Sequence, residues 1–204
     1  METLDLKKDL KHLYTASAKT VTELKIPRMR YLMIDGMGDP NTVPAYVQAI
    51  EALYAVAYTL KFTIKKGREI DYPVLPLEGL WWMDDMREFN MANKDRWCWT
   101  MMIAQPQVVS ASDVKSAVSE VKKKKDPAAL SLLRFESLAE GPCVQILHTG
   151  PYADEKPAIE KLHAHISALG AVPSGKHHEV YLGDPRRTAP EKLKTVLRQP
   201  FTKK

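Results

Sequence analysis

RMRYLMIDGMGDPNTVPAYVQAIEALYAVAYTL, residues 28–60, contains the change of hydrophobic rhythm that decides the fold. Up to Gly36 it is a nearly continuous apolar run, the pattern of a buried strand; past Gly38, Asp39, Pro40 and Asn41 the spacing becomes helical. A helix start near Thr42 with Pro44 in its first turn fits proline's tolerance for that position. Tyr46, Ile50, Leu53, Tyr54 and Ala57 recur near every 3.6 residues and predict one helix face. The same order returns in PCVQILHTGPYADEKPAIEKLHAHISALG, residues 142–170. There a strand runs to Gly150, Ile159, Leu162, Ile166 and Leu169 form a helix face, and Gly170 is a natural stop.

Two more strand candidates follow each helix: LEGLWWMDD (77–85) and DRWCWTMMIAQP (95–106), then HHEVYLGDP (177–185) and KLKTVLRQPF (192–201). Both closing strands end alike, at Gln105-Pro106 and Gln199-Pro200. Aligning Asp85 with Asp184 sets Trp82 opposite Tyr181 and Leu80 opposite Glu179. The chain therefore predicts an α+β fold of duplicated β-α-β-β units with antiparallel sheets. Its expected parts are an N-terminal helix and arm over 1–27 and one domain over 28–204. That domain comprises two repeats, about 28–106 and 131–204, with LLRFESLAEG (132–141) as an extra strand. A helix joins the repeats, with Val114, Ala117, Val118 and Val121 at helical spacing and Lys122, Lys123, Lys124 and Lys125 completing its last turn, where positive charge suits the helix dipole.

With 204 residues, 45% of them hydrophobic, the chain can bury a substantial core. No run of eighteen apolar residues occurs and the first eight residues hold four charges, so a cytoplasmic protein without membrane contact is expected. Cys98 and Cys143 lack CxxC spacing, His163 and His165 diverge on a helix, and His177 and His178 diverge on a strand. Neither a disulfide framework nor a metal site is expected, and no cofactor motif is present. The net charge of +5 raises the question of nucleic acid, yet the lysine run reads as a helix end, and no DNA- or RNA-binding motif accompanies it. Direct nucleic-acid binding is not expected.

The chemistry lies in the aromatic residues and one acid. Trp97 and Trp99 share a strand face with Met101, while Glu179 and Tyr181 share a face in the other half. Trp81 and Trp82 are adjacent and must face opposite ways. Packing of the sheet against its helices accounts for some of these rings, but four tryptophans within residues 81–99 exceed what a small core needs. Glu179 sits mid-strand, where glutamate is disfavoured and a covered carboxylate needs a partner. If the two half-sheets confront each other across a cleft, they form an aromatic box with a single carboxylate, suited to a flat or cationic ligand. Desolvation there would fit Glu179 for work as a general base toward water.

The segments YLMIDGMGDPN (31–41), PLEGLWW (76–82), WCWTMMIAQP (97–106), EGPCVQILHTGPY (140–152) and KHHEVYLGDPRRTAPEKLKTVLRQP (176–200) resemble the GyrI-like small-molecule-binding proteins of the stand-alone type. The resemblance implies two β-α-β-β units enclosing a central ligand pocket. It also implies that Glu179 is the buried glutamate that meets cationic aromatic drugs in related multidrug-responsive regulators, and that Tyr152 lines the pocket. PLEGLWW and WCW are similar to the cyclopropanoid cyclopropyl hydrolase subset. From that follows the expected function: Trp81, Trp82, Trp97, Trp99, Tyr152 and Tyr181 hold a flat aromatic xenobiotic while Glu179 is catalytic, directing water at the cyclopropane ring of a DNA-alkylating compound in a detoxification reaction. A non-catalytic protein that sequesters or senses such ligands, linked to transcription regulation, is the alternative.

Overall fold

The computed structural model describes residues 1–86 and 93–203, apart from the side chain of Lys7. In chain order the described elements are β1 (Glu2–Thr3), α1 (Leu6–Asp9), α2 (Lys11–Tyr14), β2 (Thr22–Ile26), β3 (Met29–Met37) and α3 (Pro44–Arg68). They continue with β4 (Ile70–Asp71), β5 (Leu77–Trp82), β6 (Cys98–Gln105), α4 (Ala111–Lys124), β7 (Arg134–Leu138) and β8 (Gly141–Thr149). The last are α5 (Lys156–Ala168), β9 (Ala171–Pro173), β10 (His177–Tyr181) and β11 (Lys194–Lys203). The fold is mixed α+β, its sheet pairing antiparallel apart from the short parallel pair β1–β4, and the order strand, helix, strand, strand occurs twice, as β3-α3-β5-β6 and β8-α5-β10-β11.

The chain gathers into two compact units. The first holds 1–9, 29–75 and 81–138; the second holds 10–28, 76–80 and 139–204. In the first unit, β3 lies between β6 and β7, antiparallel to both. Leu32, Ile34, Trp99, Met101 and Ile103 are buried on one face of the β3–β6 pair. Helix α3 begins with Pro44 in its first turn, and Ala49, Ala52, Leu53, Val56, Ala57, Leu60 and Ile64 are its buried residues. The core face thus differs from the one expected. Leu53 and Ala57 belong to it, but Tyr46, Ile50 and Tyr54 are only half-buried, because the alanines let the helix approach closely and bulky rings are displaced to its flank.

Gly36 shows how tight this unit is. It pairs with Trp99 across β3 and β6, and a Cβ at position 36 would stand 2.1 Å from the Trp99 ring. Only glycine leaves room for an indole laid across the backbone. The Asp35 carboxylate accepts a 2.6 Å hydrogen bond from the Thr100 hydroxyl, and the Arg134 guanidinium lies 2.6 Å away, fastening β7 to the same strand. Helix α4 carries a capping box, in which the Ser110 hydroxyl accepts from the Asp113 N–H and the Asp113 carboxylate accepts from the Ser110 N–H. Lys122, Lys123 and Lys124 fill its last turn.

In the second unit the sheet order is β2-β8-β11-β10, all antiparallel, with β9 on the end of β11. Residues 10–28 form α2, the loop after it and β2. Helix α5 covers one face, where Leu162 and Ile166 meet Val144, Ile146 and Leu197 in a closed apolar cluster. Leu169, expected on that helix face, is 40% exposed: it is the C-cap, past the last buried turn, and Gly170 at φ 66° then ends the helix.

The opposite face carries charge. Register aligns His178, Arg198 and Gln145 in one row across β10, β11 and β8. His178 is entirely buried, with Nε2 2.9 Å from Glu78 and Nδ1 2.9 Å from Glu140. The Tyr14 hydroxyl donates to Glu78, and Arg198 donates to the Leu13 carbonyl at 2.7 Å while lying 3.6 Å from Glu140. Gln145 donates to the carbonyls of His12 and Thr15, closing α2 over the row. Burial alone would strip His178 of its proton, but the Glu140 charge and the hydrogen bonds to both carboxylates outweigh it and push the imidazole's pKa up. Burial likewise works to raise Glu140, yet the charge of His178, supported by Arg198, holds it below the usual carboxylate range.

Two outcomes follow. Gly36→Val should destabilise the protein by about 1–3 kcal/mol through overpacking against Trp99, read as a lowered urea midpoint. His178→Ala strands two buried carboxylates and should cost about 3–5 kcal/mol. The folded pKa of His178 is raised, so its contribution is complete below the ordinary histidine value and is lost as pH rises through the folded value. Glu140 is depressed, so its contribution is complete above the ordinary carboxylate value and is lost as pH falls. Unfolding free energy of the wild type should fall on the alkaline side by an amount that His178→Gln abolishes, measured by urea titrations at a series of pH values.

Candidate functional site

Alternation along β10 separates the two sides of its chemistry. His178 and Val180 face the charged row, so His177, Glu179 and Tyr181 face the side covered by α5. On that side β11 contributes Thr195 opposite Tyr181, and β8 contributes His148 opposite Thr195. The Glu179 side chain is 13% exposed. Its Oε2 accepts a 2.8 Å hydrogen bond from the Tyr181 hydroxyl, and its Oε1 lies 3.5 Å from His177 Nε2, outside hydrogen-bond geometry. Residues two before and two after on one strand thus grip the carboxylate from either side.

A second acid joins it. After β8, Gly150 at φ 135° turns the chain into the 3-10 turn Tyr152–Asp154, and His148 Nε2 holds the turn at 3.0 Å from the Pro151 carbonyl. The turn delivers Tyr152 and Glu155. The Tyr152 ring meets the Tyr181 ring edge to face at 5.7 Å. Burial, then the charges of Glu179, Glu155 and Asp184, push the Tyr152 hydroxyl up to about 12. Glu155 is buried, and burial followed by the Glu179 charge pushes its carboxyl up to about 10. The Thr195 hydroxyl opposes this without reaching hydrogen-bond geometry. Burial and the neighbouring Glu179 thus both favour the protonated form of Glu155.

The tryptophans belong to the first unit. Trp99 is wholly buried over Gly36, and Trp81 is buried against it through Tyr46, whose ring lies 5.4 Å from Trp99 and 6.0 Å from Trp81. Trp97 stands edge to face with Trp81 at 5.8 Å and has Lys94 over its ring. Trp81 is buried, whereas Trp82 and Trp97 are half-buried. Of the six rings expected to hold a ligand, Tyr152, Tyr181, Trp82 and Trp97 have accessible surface, whereas Trp81 and Trp99 serve the packing. Glu179, Tyr181 and Tyr152 come together in the second unit; Trp81, Trp97 and Trp99 come together in the first.

Sequence reasoning missed Glu155, Glu78 and the charged row. Glu78 could have been found by the argument that singled out Glu179, since it too is a glutamate inside an apolar strand. Glu155 follows a turn in a polar stretch, and nothing local distinguishes it from a solvated acid. Among the described residues no group of three or more His, Cys, Asp or Glu is placed to hold a metal ion, and no helix is long and apolar enough to cross a membrane.

Residues 19–201 match the model of the GyrI-like small molecule binding domain. The chain belongs to that family. Solved structures match it along its length. An uncharacterised conserved protein from Listeria innocua shares 35% identity at a TM-score of 0.90, over 98% of this chain and 100% of its own. A structure described as a hydrolase from Listeria innocua shares 34% identity at a TM-score of 0.88, with the same coverage. The C-terminal domain of EcmrR, at 12% identity and a TM-score of 0.58 over 91% of this chain and 98% of its own, shares the fold. No curated protein matches the chain in sequence.

The acid pair can be tested directly. Glu179→Gln removes the neighbouring negative charge and should lower the Glu155 titration point from about 10 toward the ordinary carboxylate value, read by carboxyl carbon NMR. An unchanged Glu155 titration would separate the two acids.

Proposed function

We propose that this GyrI-like protein binds flat aromatic or cationic xenobiotics and hydrolyses the strained cyclopropane ring of DNA-alkylating members of that class. The observation behind the reading is the acid pair: Glu155 protonated by burial and charge, beside Glu179 oriented by Tyr181. The description of structural relatives at 34% identity as hydrolases supports it. The edge-to-face rings of Tyr152 and Tyr181 border the acids and provide apolar surface for a flat ligand.

In the reaction, Glu179 takes a proton from water as the water oxygen bonds to a ring carbon. The ring carbon–carbon bond breaks, and its electron pair passes into the conjugated acceptor of the substrate. Glu155 supplies the proton that the acceptor gains, and the proton on Glu179 then returns the pair to its starting state. Release of ring strain supplies much of the driving force, leaving positioning and general acid–base help to the protein.

Incubation with a cyclopropane-bearing alkylator, followed by mass spectrometry, should show a product heavier by one water. Glu179→Gln should slow its formation by about 10²- to 10⁴-fold, while tryptophan fluorescence still registers binding. Equal turnover by the variant removes Glu179 as base. Recovery of unchanged ligand from a wild type that binds it leaves sequestration or sensing as the function.

A further inference from the structure

Helix α3 turns one side to the core of the first unit, but a second stripe of large apolar residues faces solvent. Val47, Tyr58 and Phe62 are 54%, 48% and 58% exposed. With about 100° of rotation per residue, positions 47, 51, 54, 58 and 62 fall within about 80° of one another on the helix surface. Tyr54 stacks on Tyr58 at 6.2 Å and Tyr58 on Phe62 at 6.3 Å, with ring planes 29° and 23° apart. The three rings form a ladder along the helix. Scattered exposed apolar side chains are ordinary on a protein surface; a contiguous aromatic row is the mark of an interface.

Charge indicates what covers it. Exposed Glu51 stands at the N-terminal end of the row; exposed Lys66 stands at the C-terminal end, beside half-buried Lys65, whose ammonium already lies 2.6 Å from Asp71. A stripe with opposite charges at its two ends is complementary to itself when turned end for end. Two α3 helices laid antiparallel about a two-fold axis at Tyr58 bring Glu51 of each copy opposite Lys65 and Lys66 of the other. In the same register Phe62 of each copy falls against Tyr54 and Ala55 of the other, where the small Ala55 makes room, and Tyr58 meets its counterpart at the axis. A parallel arrangement would instead set Glu51 on Glu51 and lysine on lysine. The 25 residues of α3 give a contact line of about 37 Å, long enough for a stable helix pair.

We propose that this face holds a second copy of the chain, forming an antiparallel α3 homodimer. The dimer depends on neither the acid pair nor its chemistry, so its test is independent of both.

Sedimentation velocity of the full chain over a wide concentration range should show a reversible dimer. Tyr58→Glu combined with Phe62→Glu should leave a monomer, with the far-ultraviolet circular dichroism and urea midpoint of the wild type showing that the fold is intact. Glu51→Lys should weaken association by about tenfold through like-charge contact, and adding Lys66→Glu should restore it. A wild type that stays monomeric at the highest concentration, or a Tyr58→Glu, Phe62→Glu variant that stays dimeric, overturns the proposal. Failure of the charge exchange to restore association overturns the antiparallel register.

Discussion

His178 has no access to water, and its two ring nitrogens meet carboxylates from two distant segments, Glu78 and Glu140. Arg198 and Tyr14 complete the set. The Glu140 charge and the hydrogen bonds to both carboxylates offset the burial of the imidazole and push its pKa up. Removing one member leaves its buried partners with fewer compensating contacts, which is costly. Five segments of the second unit, contributing Tyr14, Glu78, Glu140, His178 and Arg198, are tied by it to one register.

That register has a chemical consequence. The side-chain period of a strand is two, so slipping β10 by one residue would exchange its faces, burying Glu179 where His178 belongs. The charged row therefore selects which side of the sheet Glu179 occupies. On that side Tyr181 and His177 flank the carboxylate, and the turn after β8 brings Glu155 beside it. The acid pair is uncomfortable in the same low-dielectric interior, and the discomfort is relieved by keeping the proton on Glu155. The sheet thus carries an acid cluster on each face, one beside His178 and Arg198, the other pairing Glu155 with Glu179.

The first unit contributes rigidity of another kind. Trp99 over Gly36, with Tyr46 and Trp81 packed around it, fixes the start of α3 against the sheet through shape alone. The large rings that look functional in the sequence divide by burial. Trp81 and Trp99 are consumed by packing, and Trp82, Trp97 and the Tyr54–Tyr58–Phe62 ladder remain at the surface.

The order of strands and helices, the doubled β-α-β-β arrangement, the family, and Glu179 as an acid out of place were all legible in the sequence. Each rests on local information: hydrophobic period, Gly and Pro punctuation, or one residue at odds with its strand. The core face of α3 was only partly legible, because apolar residues surround that helix and periodicity cannot rank alanine contacts against tyrosine ones. Glu155, Glu78 and the partners of His178 were not legible as a set. Glu78 alone lies 100 residues from His178 in the chain, and no spacing rule joins them. Only tertiary folding decided that two carboxyls share one desolvated place and that a histidine and an arginine share another, because burial and proximity, not residue type, set where a proton stays.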